Sequence, residues 1–134
     1  MTAFAAVTLY VGLFVLLFLA LKLNTGRVRA GAKVSIGDGG SEDMQRAMRV
    51  QGNAAEDVPI VLFGLFGLAA LAAPVMLIHG FGGSFIVLRV LHALGLGGAK
   101  GAGIGRLIGT LGTLILMLGL GGTCVYYALT YAAI

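Results

Sequence analysis

Arg46-Ala47-Met48-Arg49-Val50-Gln51-Gly52-Asn53-Ala54-Ala55-Glu56-Asp57-Val58-Pro59 is the one stretch in which many polar side chains run without a break into a long apolar segment. A helix turns about 100° per residue, so Arg46, Arg49, Asn53 and Glu56 fall on one stripe. That stripe continues through Ile60, Phe63 and Gly67, inside the apolar run. Two cations, an amide and a carboxylate therefore line the entrance to a membrane span. Polar groups at membrane depth are costly unless they face a bundle interior and find partners, which makes the stripe a candidate functional site. Gln51 falls on the opposite face of the same helix.

The composition around this stretch supports a membrane reading. Of 134 residues, 59% are hydrophobic and 10% are charged, and the mean hydropathy is +1.03. A soluble domain is about a quarter charged, so the chain reads as an all-α integral membrane protein. Its length allows a single domain over residues 1–134 with four spans of about 20 residues each. The formal charge of +4 is not the mark of a nucleic-acid binder, because the cations flank apolar helices and few aromatics lie among them. Cys124 is a lone cysteine in the last apolar segment and reads as a small buried hydrophobe. His79 and His92 stand far apart without acidic partners at ligand spacing, so no metal site is expected.

The spans are predicted at about residues 3–23, 55–76, 82–98 and 105–131. The first, Ala3 to Leu21, has no basic residue before it, whereas Lys22, Arg27 and Arg29 follow. That order is the reverse of a secretory signal, so a retained span is expected. Lys22 to Glu42 reads as the first polar loop, with a turn at Gly37-Asp38-Gly39-Gly40. Ser41 followed by Glu42 and Asp43 predicts a capped helix start with acids in the first turn. That helix should run to about Ala73, with Pro59 kinking it just past Glu56. Pro74 to Gly83 reads as an uncharged link, and Ser84 to Leu96 as a short third segment placing Arg89, His92 and Leu96 near one face. Gly97 to Gly103 reads as a flexible linker, and Ile104 to Ala132 as span four. Glycines 105, 109, 112, 119 and 122 in that span predict close helix packing. Lys22, Arg27, Arg29, Lys33, Lys100 and Arg106 all fall in loops one and three or at their edges. The positive-inside rule then puts both termini outside and these loops in the cytoplasm.

At Arg49-Val50-Gln51-Gly52-Asn53-Ala54-Ala55-Glu56-Asp57-Val58-Pro59 the sequence resembles the MAPEG family, the membrane-associated proteins of eicosanoid and glutathione metabolism. The resemblance runs over nearly the whole chain: four spans, a charged first loop, the Arg-x-(Gln/His)-x-Asn-x-x-Glu pattern opening the second helix, and Arg89 and His92 in the third. Gly37-Asp38-Gly39-Gly40 is similar to bacterial members, which implies a bacterial inner membrane location. The resemblance implies a homotrimer of four-helix bundles that binds glutathione between subunits, with a lipophilic small molecule as second substrate and membrane lipids around it. Arg49, Asn53 and Glu56 match glutathione-contacting positions on one subunit, and Gln51 a position that reaches glutathione from its neighbour. Arg29, Arg89 and His92 are further candidates for holding glutathione. Arg106 resembles the arginine that stabilises the glutathione thiolate, and is the candidate catalytic residue.

The chemistry suits these residue types. Arginine binds carboxylates bidentately, Glu56 suits an ammonium group, and Asn53 and Gln51 suit peptide amides. A cation beside a thiol lowers its pKa and so creates the nucleophile without acting as a base. Two positions depart from the family's pattern. Leu96 stands where studied members carry a tyrosine. Asp57 adds a second carboxylate beside Glu56, which would weaken anion binding unless another cation compensates. The expected function is a glutathione-dependent transferase or peroxidase acting on lipophilic electrophiles or lipid hydroperoxides. The alternatives are the same scaffold as a non-catalytic lipid- or thiol-binding protein, and an unrelated small channel or transporter subunit.

Overall fold

The computed structural model of the chain describes residues 1–97 and 103–131. These form four long helices: α1 (Ala3–Ala32), α2 (Glu42–Ala70), α3 (Val75–Gly97) and α4 (Ile104–Tyr131). All four are long and apolar enough to cross a membrane. Their large apolar side chains point outward as well as inward: Leu9, Leu13, Leu16 and Leu19 on α1 and Leu107, Leu111, Leu114 and Leu118 on α4 are exposed. A helix apolar all round needs a lipid surround, so the protein is an integral membrane four-helix bundle. Neighbours in sequence pack together, and α3 also touches α1 while α4 also touches α2. Among the described residues α1 and α4 share no contact, and they lie on opposite edges of the bundle.

The helices run further than apolar composition alone indicates. Residues from Lys22 onward, expected in the first loop, continue α1 to Ala32. Leu, Lys, Arg and Ala are good helix formers, and basic side chains can reach the membrane surface from a helix that leaves the lipid. The loop proper is short. Lys33 ends α1 in the left-handed region at φ 54°, its amide reaching back to the Arg29 and Ala30 carbonyls. The expected turn at Gly37-Asp38-Gly39-Gly40 is present, with positive φ at all three glycines. Asp38 accepts from the Gly40 amide at 2.9 Å. That bond, with the Gln45 side chain, holds the Asp38 carboxyl below the usual carboxylate range. Its contribution to the turn is present above that range and is lost as pH falls through the lowered value.

Ser41 caps α2 as expected, its hydroxyl accepting from the Met44 amide at 3.3 Å, with Glu42 and Asp43 in the first turn. The 29 residues of α2, at about 1.5 Å each, exceed a hydrocarbon layer of roughly 30 Å, so its first turns stand clear of the lipid. Pro59 lies within the helix. The end comes at Ala70, earlier than predicted, because Ala72 turns left-handed at φ 54° and Pro74 follows. The predicted link from Pro74 to Gly83 is helical from Val75 onward. Its glycines serve packing: a Cβ on Gly82 would run into the ring of Tyr10 on α1. α3 thereby reaches 23 residues, long enough to span. The inner residues of the predicted Gly97–Gly103 linker, Lys100 among them, and the last residue of predicted span four, Ala132, lie outside the described residues.

The core occupies the half of the bundle away from the basic loop. Ala6, Val7, Tyr10 and Phe14 of α1 meet Val58, Val61, Leu65 and Leu68 of α2, Ile78 and Phe85 of α3, and Leu116 and Leu120 of α4. Phe14 and Phe85 pack with ring centroids 5.0 Å apart. Near the loop end, α3 and α4 close to backbone contact. A Cβ on Gly95 would press on the Arg106 amide and lie 2.6 Å from the Gly105 carbonyl carbon. A Cβ on Gly109 would lie 2.8 Å from the His92 backbone, and one on Gly112 would overlap the Leu88 side chain. The packing expected of glycines 105, 109 and 112 is therefore real, whereas a Cβ on Gly122 meets nothing within 4 Å. Gly95→Ala should force the two helices apart, at about 1–3 kcal/mol for overpacking. Thermal unfolding in detergent checks this, with Gly122→Ala, expected near neutral, as the control.

Candidate functional site

The site follows from how three helices converge at the loop end. On α2, Asn53, Glu56 and Asp57 share one face because they are three and four residues apart. The α3 stripe is Arg89, His92 and Leu96, all buried, with Arg89 only 3% exposed. On α4, the face carrying Arg106, Thr110 and Thr113 is drawn in by the Gly95–Gly105 and Gly109–His92 approaches. Together these residues, Leu96 excepted, and Arg49 line a cleft of about 250 Å³.

Arg89 is its structural centre. Its Nη1 donates to Asp57 Oδ2 at 2.6 Å, and its Nη2 donates to the Gly109 carbonyl at 3.0 Å and to Thr113 Oγ1 at 2.5 Å. The Thr113 hydroxyl in turn donates to the Gly109 carbonyl at 2.7 Å. Phe85 lies under the guanidinium, 5.6 Å from ring centroid to Cζ, and Nε is buried without a partner among the described residues. One side chain thus ties α2, α3 and α4 together. This answers the question raised by Asp57: its charge is met by Arg89 and is not left to repel an anion. Both terminal nitrogens of Arg89 thus have partners inside the protein.

His92 is likewise engaged, with Asn53 Nδ2 donating to its Nε2 at 3.3 Å. At the rim, Arg49 Nη1 lies 3.5 Å from Glu56 Oε1, with both side chains more than half exposed. Arg106 is exposed and forms none of the ion pairs seen among the described residues. Three guanidinium groups thus face two carboxylates in the cleft, leaving one positive charge in excess. The paired Arg49 and Glu56 offer a zwitterion its two complements, and Arg106 offers an uncommitted cation.

Six of the expected site residues, Arg49, Asn53, Glu56, Arg89, His92 and Arg106, therefore meet in one cleft. Arg29 and Gln51 do not join them. They line a second groove of about 460 Å³ on the other side of α2, with Lys22, Thr25, Gly26, Met48, Gly52 and Ala55. Arg46 leaves the stripe altogether: it bonds to Glu42 at 2.8 Å and reaches Asp43 at 3.6 Å. Asp57 as a partner for Arg89, and Thr113 as a ligand of it, were not identified from sequence. The signal was present, since Thr113 lies seven residues, two turns, beyond Arg106. Among the described residues there is no group of three His, Cys, Asp or Glu side chains that could hold a metal ion.

A family model described as the MAPEG family matches residues 7–126. The chain is 31% identical over 87 residues to the Inner membrane protein YecN of Escherichia coli (strain K12), covering 65% of this chain and 66% of that protein. It is 33% identical over 113 residues to the Uncharacterized protein sll1147 of Synechocystis sp., covering 83% of this chain and 82% of that one. The chain thus spans just under two thirds of the YecN length. No solved structure matches it.

Proposed function

The chain belongs to the MAPEG family, and on that premise we propose that it is a glutathione-dependent transferase or peroxidase acting on lipophilic electrophiles or lipid hydroperoxides. The observation that carries this reading is the cleft, where an Arg49–Glu56 pair and an uncommitted Arg106 stand beside a sealed Arg89–Asp57 lock. Arg49 and Glu56 take the amino-acid end of glutathione, and Asn53 offers an amide at the level of its peptide bonds. Arg106 stabilises the thiolate, which attacks an electrophile arriving through the lipid. Because Gln51 and Arg29 lie on the far side of α2, they serve a ligand held in the cleft of an adjacent copy, and a homotrimer gives every cleft such a neighbour. The cations put this end of the bundle in the cytoplasm. The relative named as an inner membrane protein supports an inner membrane setting, without bearing on orientation.

Purified protein titrated with glutathione should show ultraviolet thiolate absorbance and should conjugate an aromatic electrophile. Absence of both would remove the reading. Arg49→Ala is expected to weaken glutathione binding about 10-fold, the low end for a hydrogen bond to a charged group because the pair is exposed. Chains carrying Arg49→Ala and Gln51→Ala separately, mixed in one preparation, are expected to recover some intact sites, measured as binding above that of either variant alone.

A second reading keeps the binding surface without catalysis. It is favoured by Leu96, which is buried where a hydroxyl stands in studied members. It predicts that glutathione raises thermal stability by mass action while no conjugate forms. Conjugation that disappears in Arg106→Ala excludes it.

A further inference from the structure

A third space lies where α3 stops short of its neighbours. His92 bonds to Asn53, so α3, ending five residues later at Gly97, stops about level with Met48, while α2 begins at Glu42. Arg27 and Val28 of α1, Asp43, Arg46 and Ala47 of α2, and Gly97 line a cavity of about 520 Å³ there. Arg27 stands two residues from Arg29, about 200° around α1. The cavity therefore opens on the side of α1 away from the groove that holds Arg29 and Gln51.

Its charges are only partly matched. Arg46 is committed to Glu42, bonding to the carboxylate at 2.8 Å and to the carbonyl at 3.4 Å. Asp43 lies 3.6 Å from Arg46, beyond hydrogen-bond reach, with its side chain 82% exposed. Arg27 donates to Asn24 Oδ1 at 3.1 Å and forms none of the ion pairs among the described residues. Arg27 and Asp43 thus line one cavity without closing on each other. A ligand carrying an anion and an ammonium a few bonds apart would bridge them.

Depth selects the ligand. The uncharged run of α1 ends at Leu21, and Arg27 lies five residues beyond Lys22, about 7.5 Å along the helix. Helical side chains incline toward the N-terminus, which carries the guanidinium back into a headgroup layer roughly 5–8 Å deep. Leu23 and Leu16, four and eleven residues before Arg27, share its face and are 66% and 62% exposed. They form an apolar track from the hydrocarbon to the cavity. Basic pockets between helices at this level take lipid headgroups. We propose that the cavity binds the phosphoethanolamine headgroup of a membrane phospholipid, its phosphate on Arg27 and its ammonium on Asp43, with an acyl chain along Leu23 and Leu16. The site is separate from the glutathione cleft and does not depend on it.

The test titrates the full-length protein in detergent with short-chain phosphatidylethanolamine, phosphatidylcholine or phosphatidylglycerol, with affinity read from native mass spectrometry or thermal shift. Choline has no N–H to donate and glycerol has no cation. Wild type should therefore bind the ethanolamine lipid about 5-fold more tightly than either, the upper end for a partly exposed ion pair. Asp43→Asn should abolish that preference by weakening the ethanolamine lipid, and Arg27→Gln should weaken all three. Both side chains are exposed, so the lipid-free melting temperature should not move in either variant. Equal binding of the three lipids, or tightest binding of phosphatidylglycerol, overturns the assignment. Glycerophosphoethanolamine, which lacks acyl chains, should not bind at the same concentration. If it binds as well as the lipid, the ligand is a soluble phosphoethanolamine and the lipid assignment fails.

Discussion

Asp57→Ala is expected to be among the most destabilising single substitutions in this protein, by about 3–5 kcal/mol, because it leaves a buried guanidinium without its counter-charge. Arg89 is 3% exposed and donates to Asp57 at 2.6 Å. Asp57 lines the cleft with its side chain 30% exposed, so water can approach Nη1 from that side, but the rest of the guanidinium stays buried. Asp57→Asn keeps an acceptor for Nη1 and should cost less. The double variant Asp57→Leu with Arg89→Met removes both charges and should recover much of the loss, since an apolar pair of similar volume is often as stable as a buried ion pair. Asp43→Ala is the comparison. Its carboxylate is exposed and lies 3.6 Å from Arg46, so its loss should change stability by no more than about 0.5 kcal/mol. Thermal and denaturant unfolding in one detergent measure all four variants. If Asp57→Ala proves no worse than Asp43→Ala, Arg89 is not the clamp its contacts describe.

Arg106→Ala is expected to remove thiolate formation while leaving glutathione bound. A thiol with a pKa of about 8.5 is only about 3% ionised at neutral pH. A guanidinium that lowers this by two units makes about three quarters of it thiolate, a 100-fold change in the ionisation equilibrium. The proposed role therefore predicts loss of the ultraviolet thiolate band and a conjugation rate down by about 25-fold at neutral pH, the ratio of the two thiolate fractions. Raising the pH should restore much of the rate, because hydroxide then does what the cation did. Ligand-induced thermal stabilisation should persist, since Arg49, Glu56 and Asn53 are untouched. Loss of band and binding together would make Arg106 a binding residue. An unchanged band would remove it from the site.

Much of this is legible in the sequence. Ser41 as a cap, the turn at Asp38, the four spans and the gathering of Arg49, Asn53 and Glu56 on one face all follow from local rules. Capping, positive φ at glycine and the 3.6-residue period depend on neighbours in sequence. Element ends were read less well. The basic residues after Leu21 looked like a loop because hydropathy reports the lipid boundary, whereas α1 continues to Ala32. Pro74 to Gly83 read as an uncharged link, yet it is helical from Val75, and a Cβ on Gly82 would strike Tyr10.

The sequence by itself determined the class of the protein, its membrane setting and the residue types at the mouth of α2, because composition and helical period are properties of the chain alone. Only the tertiary structure decided which charge answers which. Arg46 turns back to Glu42 and Asp43, while Arg89 crosses to Asp57 and on to Thr113. Arg106 is left facing the cleft without a partner among the described residues. Arg46's partners lie three and four residues away in α2, but Arg89's bonds to α4 depend on how closely α3 and α4 approach, a distance set by Gly95, Gly105 and Gly109 across residues far apart in sequence. No periodicity within a single helix encodes that distance.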